Sequence, residues 1–138
     1  MQKNTIMRKT YVIDATDKVL GRLSTRVANI LRGKENVNFA ANKDLGDNIV
    51  IINAKGIKLT GTNKLEQKKY YRHEPRRPGS LKTTTAKDLM ATNPSKILHF
   101  SIYRMLPKNK LQDVFIKKLQ IFNDDSYKMR DQDIKLEV

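Results

Sequence analysis

The sequence predicts an α/β fold in which strands and helices alternate and the sheet is mostly parallel. Residues 9–16, KTYVIDAT, contain a short β-prone run that ends in a turn. Residues 18–34 then carry apolar side chains at helical spacing, and Gly33 supplies a natural stop. Residues 47–61 follow with an unbroken β-branched run from Ile49 to Ile52, which is typical of a parallel strand buried on both faces.

The last third of the chain has mainly helical patterns. Thr85 followed by Asp88 predicts a helix N-cap with a carboxylate in the first turn. Asn93–Pro94 predicts the start of a second helix, which Pro107 ends, and a third short apolar stripe follows. Residues 119–122, LQIF, alternate as expected for a final strand. The order is therefore strand, helix, strand, a basic middle, two or three helices and a last strand.

The length of 138 residues suits a single domain with one core. We divide the chain into an α/β domain over residues 1–122 and a C-terminal tail over residues 123–138. The tail, NDDSYKMRDQDIKLEV, is mildly acidic, with three basic and five acidic residues. Its apolar residues show no clear period, so we expect it to be loosely held or to dock on another surface.

The strong positive charge predicts an anionic partner. There are 28 Lys and Arg residues against 14 Asp and Glu, a formal net charge of +14, and the excess lies in residues 1–122.

No apolar run approaches the roughly twenty residues of a membrane-spanning helix, so no membrane partner is expected. The N-terminal residues lack the apolar stretch of a signal peptide, so we expect the protein to stay in the cytoplasm.

Several classes of chemistry are excluded or disfavoured. The chain has no cysteine, which removes disulfides, thiolate metal ligands and cysteine nucleophiles, and it has two histidines. The predicted strand-to-helix junction, DATDKVLGRL, contains one glycine, Gly21, and so lacks a glycine-rich phosphate loop. We predict no cofactor, no metal and no small-molecule substrate. Gly21 either lets helix and strand pack closely or exposes backbone N–H groups to a phosphate, and the first is favoured.

His73 is the one residue that invites a catalytic interpretation. A general base needs a group that orients it and a substrate within hydrogen-bond reach. The neighbouring Glu74 would point to the opposite side of an extended segment, so His73 has no visible partner. His99 lies between two apolar residues of a predicted helix, where a packing role is expected. We therefore predict no catalytic residue and treat His73 as a binding contact.

Residues 68–82, KKYYRHEPRRPGSLK, interleave basic and aromatic side chains and end in turn-forming residues. That combination suits RNA, which proteins recognise through phosphate contacts and stacking on bases. The alternative is a solvated basic loop with core tyrosines. A second basic cluster at residues 104–111, with two lysines beyond it, favours RNA. The predicted RNA-binding residues are Lys68, Lys69, Tyr70, Tyr71, Arg72, His73, Arg76, Arg77, Lys82, Arg104, Lys108, Lys110, Lys117 and Lys118.

Four segments, taken in order, resemble a known family. They are YVIDATDKVLGRLSTRVANILRGK, GDNIVIINAKGIKLTG, KKYYRH and MLPKNKL, and they resemble the bacterial large-subunit ribosomal protein thirteen family over residues 8 to about 122. The resemblance implies a three-layer α/β/α single domain with a four-stranded, mainly parallel sheet. It also implies binding to large-subunit ribosomal RNA beside neighbouring ribosomal proteins, a role early in subunit assembly, and no catalysis.

The resemblance also bears on individual residues. It implies that the KKYYRH segment, Lys108 and Lys110 face RNA, and it adds Arg22 of GRLS as a weaker candidate because a structural role fits it too. Where the family continues with a glycine-rich turn, this chain has EPRRPGSLK, which is more basic and adds Arg76 and Arg77 as RNA contacts. The tail differs from the family pattern, so nothing is carried over for residues 123–138.

Two other functions remain open from the sequence. One is a small RNA-processing enzyme that uses His73 and a carboxylate. The other is a free-standing regulator that binds messenger RNA through the same basic surface. Neither has a motif of its own in the chain.

Overall fold

The computed structural model describes residues 8–137. The strands in this part of the chain are β1 Thr10–Asp14, β2 Asn48–Ile52, β3 Lys69–Arg72, β4 Lys82–Thr85, β5 Leu119–Ile121 and β6 Asp133–Lys135. The α-helices in the same residues are α1 Leu20–Arg32, α2 Lys64–Gln67, α3 Ala86–Thr92, α4 Pro94–Met105 and α5 Gln112–Ile116.

The predicted strand–helix–strand unit is formed by β1, α1 and β2. The two strands are parallel, with Thr10 opposite Asn48 at one end and Asp14 opposite Ile52 at the other. The helix ends at Gly33, whose φ of 77° lies in the left-handed region that glycine adopts at little cost. The unbroken aliphatic run is therefore a strand, and Gly33 is the stop that the sequence predicted.

The main sheet has four strands in the order β5-β2-β1-β6, and all neighbouring pairs are parallel. This confirms the predicted single α/β domain with a four-stranded parallel sheet. The core packs one face of the sheet against α1 and α4, and its largest fully buried aliphatic residues are Ile13, Leu23, Val27, Leu31, Ile49, Ile51, Ile97, Leu98 and Ile102. No helix among residues 8–137 is long and apolar enough to cross a membrane.

The C-terminal tail is joined to the sheet, so the division at residue 122 does not separate two structural units. Strand β6 pairs with β1, with Thr10 opposite Asp133, and the Leu136 N–H donates to the Val12 carbonyl at 2.9 Å. Earlier in the tail, the ring of Tyr127 lies 5.6 Å from that of Phe122. The tail therefore packs against its own domain.

The second face of the sheet is also covered. Val12 and Val50 are both 3% exposed, although their side chains point away from the main core. Tyr127 lines a cavity beside each of these valines. The tail thus contributes to the layer on this face, in addition to supplying the strand at the edge.

Truncation of the chain after Asn123 should destabilise the domain. The shortened protein loses β6 and the side chains beside Val12 and Val50, and re-exposing buried valines costs on the order of 2 kcal/mol or more. Urea unfolding followed by circular dichroism measures the change, and we expect a lower midpoint. A midpoint equal to that of the full chain would show that the tail adds nothing to the stability of the sheet.

Candidate nucleic-acid interface

Strands β3 and β4, with the loop 73–81 between them, form a separate antiparallel unit that we call the basic hairpin. Tyr71 lies opposite Thr83, and Arg72 lies opposite Lys82. Because successive side chains of a strand alternate between faces, adjacent tyrosines are expected to point in opposite directions. Tyr71 is 65% exposed, whereas Tyr70 is 8% exposed.

The basic hairpin is held to the helices by the buried tyrosine. The Tyr70 ring stacks on Phe100 of α4, with centroids 5.6 Å apart and planes inclined by 26°. Lys68 and Arg104 approach the same ring, at 5.6 Å and 6.0 Å from its centroid. Burial raises the pKa of Tyr70, and its hydroxyl has no hydrogen-bond partner among residues 8–137. This tyrosine therefore anchors the hairpin.

A helix cap fixes the other end of the basic hairpin. Thr85 ends β4 and caps α3: its side chain accepts a hydrogen bond from the Asp88 N–H at 3.2 Å. The Asp88 carboxylate accepts one from the Thr85 N–H, also at 3.2 Å, which completes the predicted capping box. Hydrogen bonds from the side chain and N–H of Thr85 lower the pKa of Asp88.

The loop of the basic hairpin is closed by Ser80. Its Oγ accepts a hydrogen bond from the Glu74 N–H at 3.0 Å and donates one to the Glu74 carbonyl at 2.8 Å. Gly79, with φ of 75°, makes the turn before this serine. Arg76 and Arg77 are exposed in the loop, and within residues 8–137 neither forms a salt bridge. The loop thus presents two uncompensated guanidinium groups.

Within residues 8–137, His73 has no carboxylate partner that could orient it as a base. Its Nδ1 lies 3.2 Å from Ser80 Oγ, but that hydroxyl already donates to the Glu74 carbonyl. No carboxylate within the described residues forms a salt bridge with the imidazole. A base held by an orienting carboxylate is therefore not assembled. Among residues 8–137 there is also no cluster of three or more side chains that could hold a metal ion.

Two of the predicted RNA-binding residues are buried, and for them the prediction is wrong. Tyr70 packs inward as described, so its ring is not available to a base. Lys118 is also 8% exposed. Its ammonium group donates to the carbonyls of Leu31 at 3.0 Å and Gly46 at 3.1 Å, and to the carboxylate of Asp44. All three N–H donors of this lysine thus have protein acceptors.

The buried ammonium of Lys118 connects three segments. Leu31 lies in the last turn of α1, where carbonyls lack partners within the helix, and Gly46 and Asp44 belong to the segment before β2. The Asp44 carboxylate also binds Arg8 at 2.8 Å. Burial lowers the pKa of Lys118, although its bond to Asp44 acts in the opposite direction. Its role is structural.

The other predicted contacts remain accessible. Lys68 is partly buried at the base of the basic hairpin. The exposed ones are Arg22 on α1; Lys69, Tyr71, Arg72, His73, Arg76, Arg77 and Lys82 on the basic hairpin; Arg104 on α4; Lys108 and Lys110 in the turn after α4; and Lys117 after α5. The structure therefore spreads the predicted cations over several elements, with the densest group on the basic hairpin.

A groove at the start of α1 brings together cations that are far apart in sequence. Arg22, Lys64 and Lys68 line it. Lys64 was not among the predicted residues because it precedes the basic stretch at residues 68–82. Its position four residues before Lys68 is the spacing that brings side chains together on a helix, and this spacing could have identified it. Gly21 lines the groove as well, and a Cβ at this glycine would meet nothing within 4 Å. The interpretation that Gly21 permits close packing is therefore wrong.

Comparison with known proteins identifies the family. The chain matches the family described as ribosomal protein L13 over residues 8–128. It belongs to that family. Among curated relatives, the large ribosomal subunit protein uL13 of Latilactobacillus sakei is 47% identical over 127 residues, 92% of this chain and 85% of the relative. The uL13 protein of Finegoldia magna is 50% identical over 121 residues, 88% and 83% of the two chains.

The similarity to the L13 family reaches the tail. The uL13 protein of Borrelia duttonii is 45% identical over 138 residues, which cover 99% of this chain and 91% of the relative. The resemblance drawn from the four sequence segments is thus confirmed.

Replacing Lys118 with methionine should destabilise the protein by roughly 3 kcal/mol or more, because it breaks a buried ion pair and leaves two buried carbonyls without donors. The matched control is Lys117→Met, which removes an exposed charge and should change the free energy of unfolding by about 0.5 kcal/mol or less. Urea unfolding of both variants measures the difference. Equal stabilities of the two variants would contradict the structural role of Lys118.

Proposed function

We propose that this protein is a structural constituent of the large ribosomal subunit, which binds ribosomal RNA and supports early assembly of the subunit. Membership of the ribosomal protein L13 family over residues 8–128 carries the proposal. Relatives that match most of this chain are named large ribosomal subunit proteins. We place the protein in the cytoplasm, within the ribosome, in contact with large-subunit ribosomal RNA and neighbouring ribosomal proteins.

The basic hairpin supplies a physical mechanism for RNA binding. Its cations neutralise phosphates and release condensed counterions, so affinity should fall steeply as salt rises. The outward ring of Tyr71 offers a flat face on which a base can stack. Because Tyr70 and the Thr85 cap already fix the hairpin, RNA binding has to order little more than side chains. Rigid presentation of charge and one exposed ring suits a scaffold for folded RNA.

The enzyme alternative is not supported. Ribosomal protein L13 is a structural family, and this chain is a structural component rather than an enzyme. His73 has a hydroxyl neighbour whose proton is already donated elsewhere. A messenger-RNA regulator would use the same exposed cations, and no residue of the chain favours it over the ribosome.

Sedimentation tests the proposal directly. In sucrose gradients of lysate from cells that express the protein, we expect it to migrate with the large subunit at one copy per particle and to remain there at moderate salt. Near molar salt should release part of it, because the contacts are largely electrostatic. A protein that stays at the top of the gradient at low salt would overturn the ribosomal role.

The two adjacent tyrosines should respond in opposite ways to truncation. Tyr71→Ala should weaken binding to a large-subunit ribosomal RNA transcript by about 1–3 kcal/mol, roughly 5- to 150-fold, and leave stability nearly unchanged. Tyr70→Ala should lower the free energy of unfolding by roughly 3 kcal/mol or more, because it removes a buried ring. Filter binding and urea unfolding measure both. If Tyr71→Ala binds like the unaltered protein, stacking on that ring is excluded.

A further inference from the structure

The groove at the start of α1 is distinct from the exposed face of the basic hairpin and has a volume of about 500 Å³. Arg22 comes from α1, Lys64 from α2, and Lys68 from the residue that precedes β3. Leu59 and Met105 add apolar side chains to the same walls, and Thr60 and Ser101 add hydroxyl groups. The groove therefore offers positive charge, apolar surface and hydrogen-bonding groups in one place.

The positive charge in this groove is not balanced by the protein. Within residues 8–137 no carboxylate forms a salt bridge with Arg22, Lys64 or Lys68. The acidic groups on the adjoining segments are occupied: Glu66 pairs with Lys87 at 3.2 Å and Asp17 with Lys58 at 2.7 Å.

The pKa of Lys68 is lowered by burial and by its position among neighbouring cations. Burial lowers its pKa, and the positive charges of Arg104 and Lys64 lower it further. A cation that is partly desolvated and repelled by its neighbours is stabilised by an anion that enters between them.

Gly21 leaves the groove open. It is exposed, and a side chain at this position would begin in empty space. Gly21 lies in the first turn of α1, and its φ is not in the left-handed region, so the backbone conformation does not require glycine. What the missing side chain provides here is room beside Arg22 and Lys68.

We propose that this groove binds one backbone phosphodiester of the RNA together with its ribose. The inference rests on the proposed function and adds a second contact site to it. The cations would hold the phosphate, while the hydroxyl groups and the apolar wall suit a sugar. A volume of about 500 Å³ exceeds what a phosphate alone fills. Because Lys68 directly precedes β3, a strand of RNA on the basic hairpin can continue into the groove.

A charge-neutral substitution at Gly21 tests the site. Gly21→Leu places a side chain in the groove, while Gly21→Ala is the small control, and both residues favour a helix more than glycine does. The probe is a large-subunit ribosomal RNA transcript, with affinity measured across a salt series. We expect Gly21→Ala to bind within about twofold of the unaltered protein. Gly21→Leu should bind at least about tenfold more weakly, and its salt slope, the slope of log affinity against log salt concentration, should be smaller by about one. Thermal unfolding should show both variants folded.

A pair of lysine variants tests the same site through charge. Lys64→Gln with Lys68→Gln should reduce the dependence of log affinity on log salt by about one, because both lysines hold the same phosphate. Lys128→Gln with Lys135→Gln removes the same charge from two exposed positions in the tail and should reduce the salt dependence by clearly less. If the transcript binds the unaltered protein but both groove variants behave like their controls, the groove inference is overturned and the proposed function stands. If the unaltered protein does not bind the transcript, both are overturned.

Discussion

The buried ammonium group of Lys118 is the interaction on which the arrangement of the domain depends. It joins the carbonyl end of α1, the segment that leads into β2, and the start of β5, so that one side chain aligns three parts of the core. A lone buried cation would be unstable, and its three acceptors offset that cost. The close approach they require is visible at Gly46, where a Cβ would lie 1.8 Å from the Leu31 carbonyl oxygen.

The basic hairpin depends on a different kind of contact. Tyr70 and Phe100 fix it through aromatic packing, and the cations around that ring stay close to the surface. The domain therefore buries one lysine, which joins three segments of its interior, and keeps most of its other described cations at the surface. This division explains how a chain with a formal net charge of +14 can form a compact core: the repulsion is kept at the surface, where an anion can relieve it.

Much of this architecture could be predicted from the sequence, because periodicity is a local signal. The aliphatic run of β2, the stop at Gly33 and the Thr85 cap all depend on residues within a few positions of one another. Lys117 and Lys118 could not be told apart, because the acceptor Asp44 lies 74 positions from Lys118. The alternation of side chains along a strand predicts that Tyr70 and Tyr71 point to opposite faces. Which of the two is buried depends on Phe100 of α4, a distant residue against which Tyr70 packs. Strand β6 is three residues long, too short to show a period.

The position of β6 has a consequence for how the chain folds as it is made. The sheet order places β6 beside β1, so the earliest and latest strands of the described chain are direct neighbours. During synthesis β1 can pair with β2 on one side, but its other edge stays unpaired until residues 133–135 have left the ribosome that is making them. This side of β1 can therefore be covered by its native partner only after nearly all of the described chain has been synthesised.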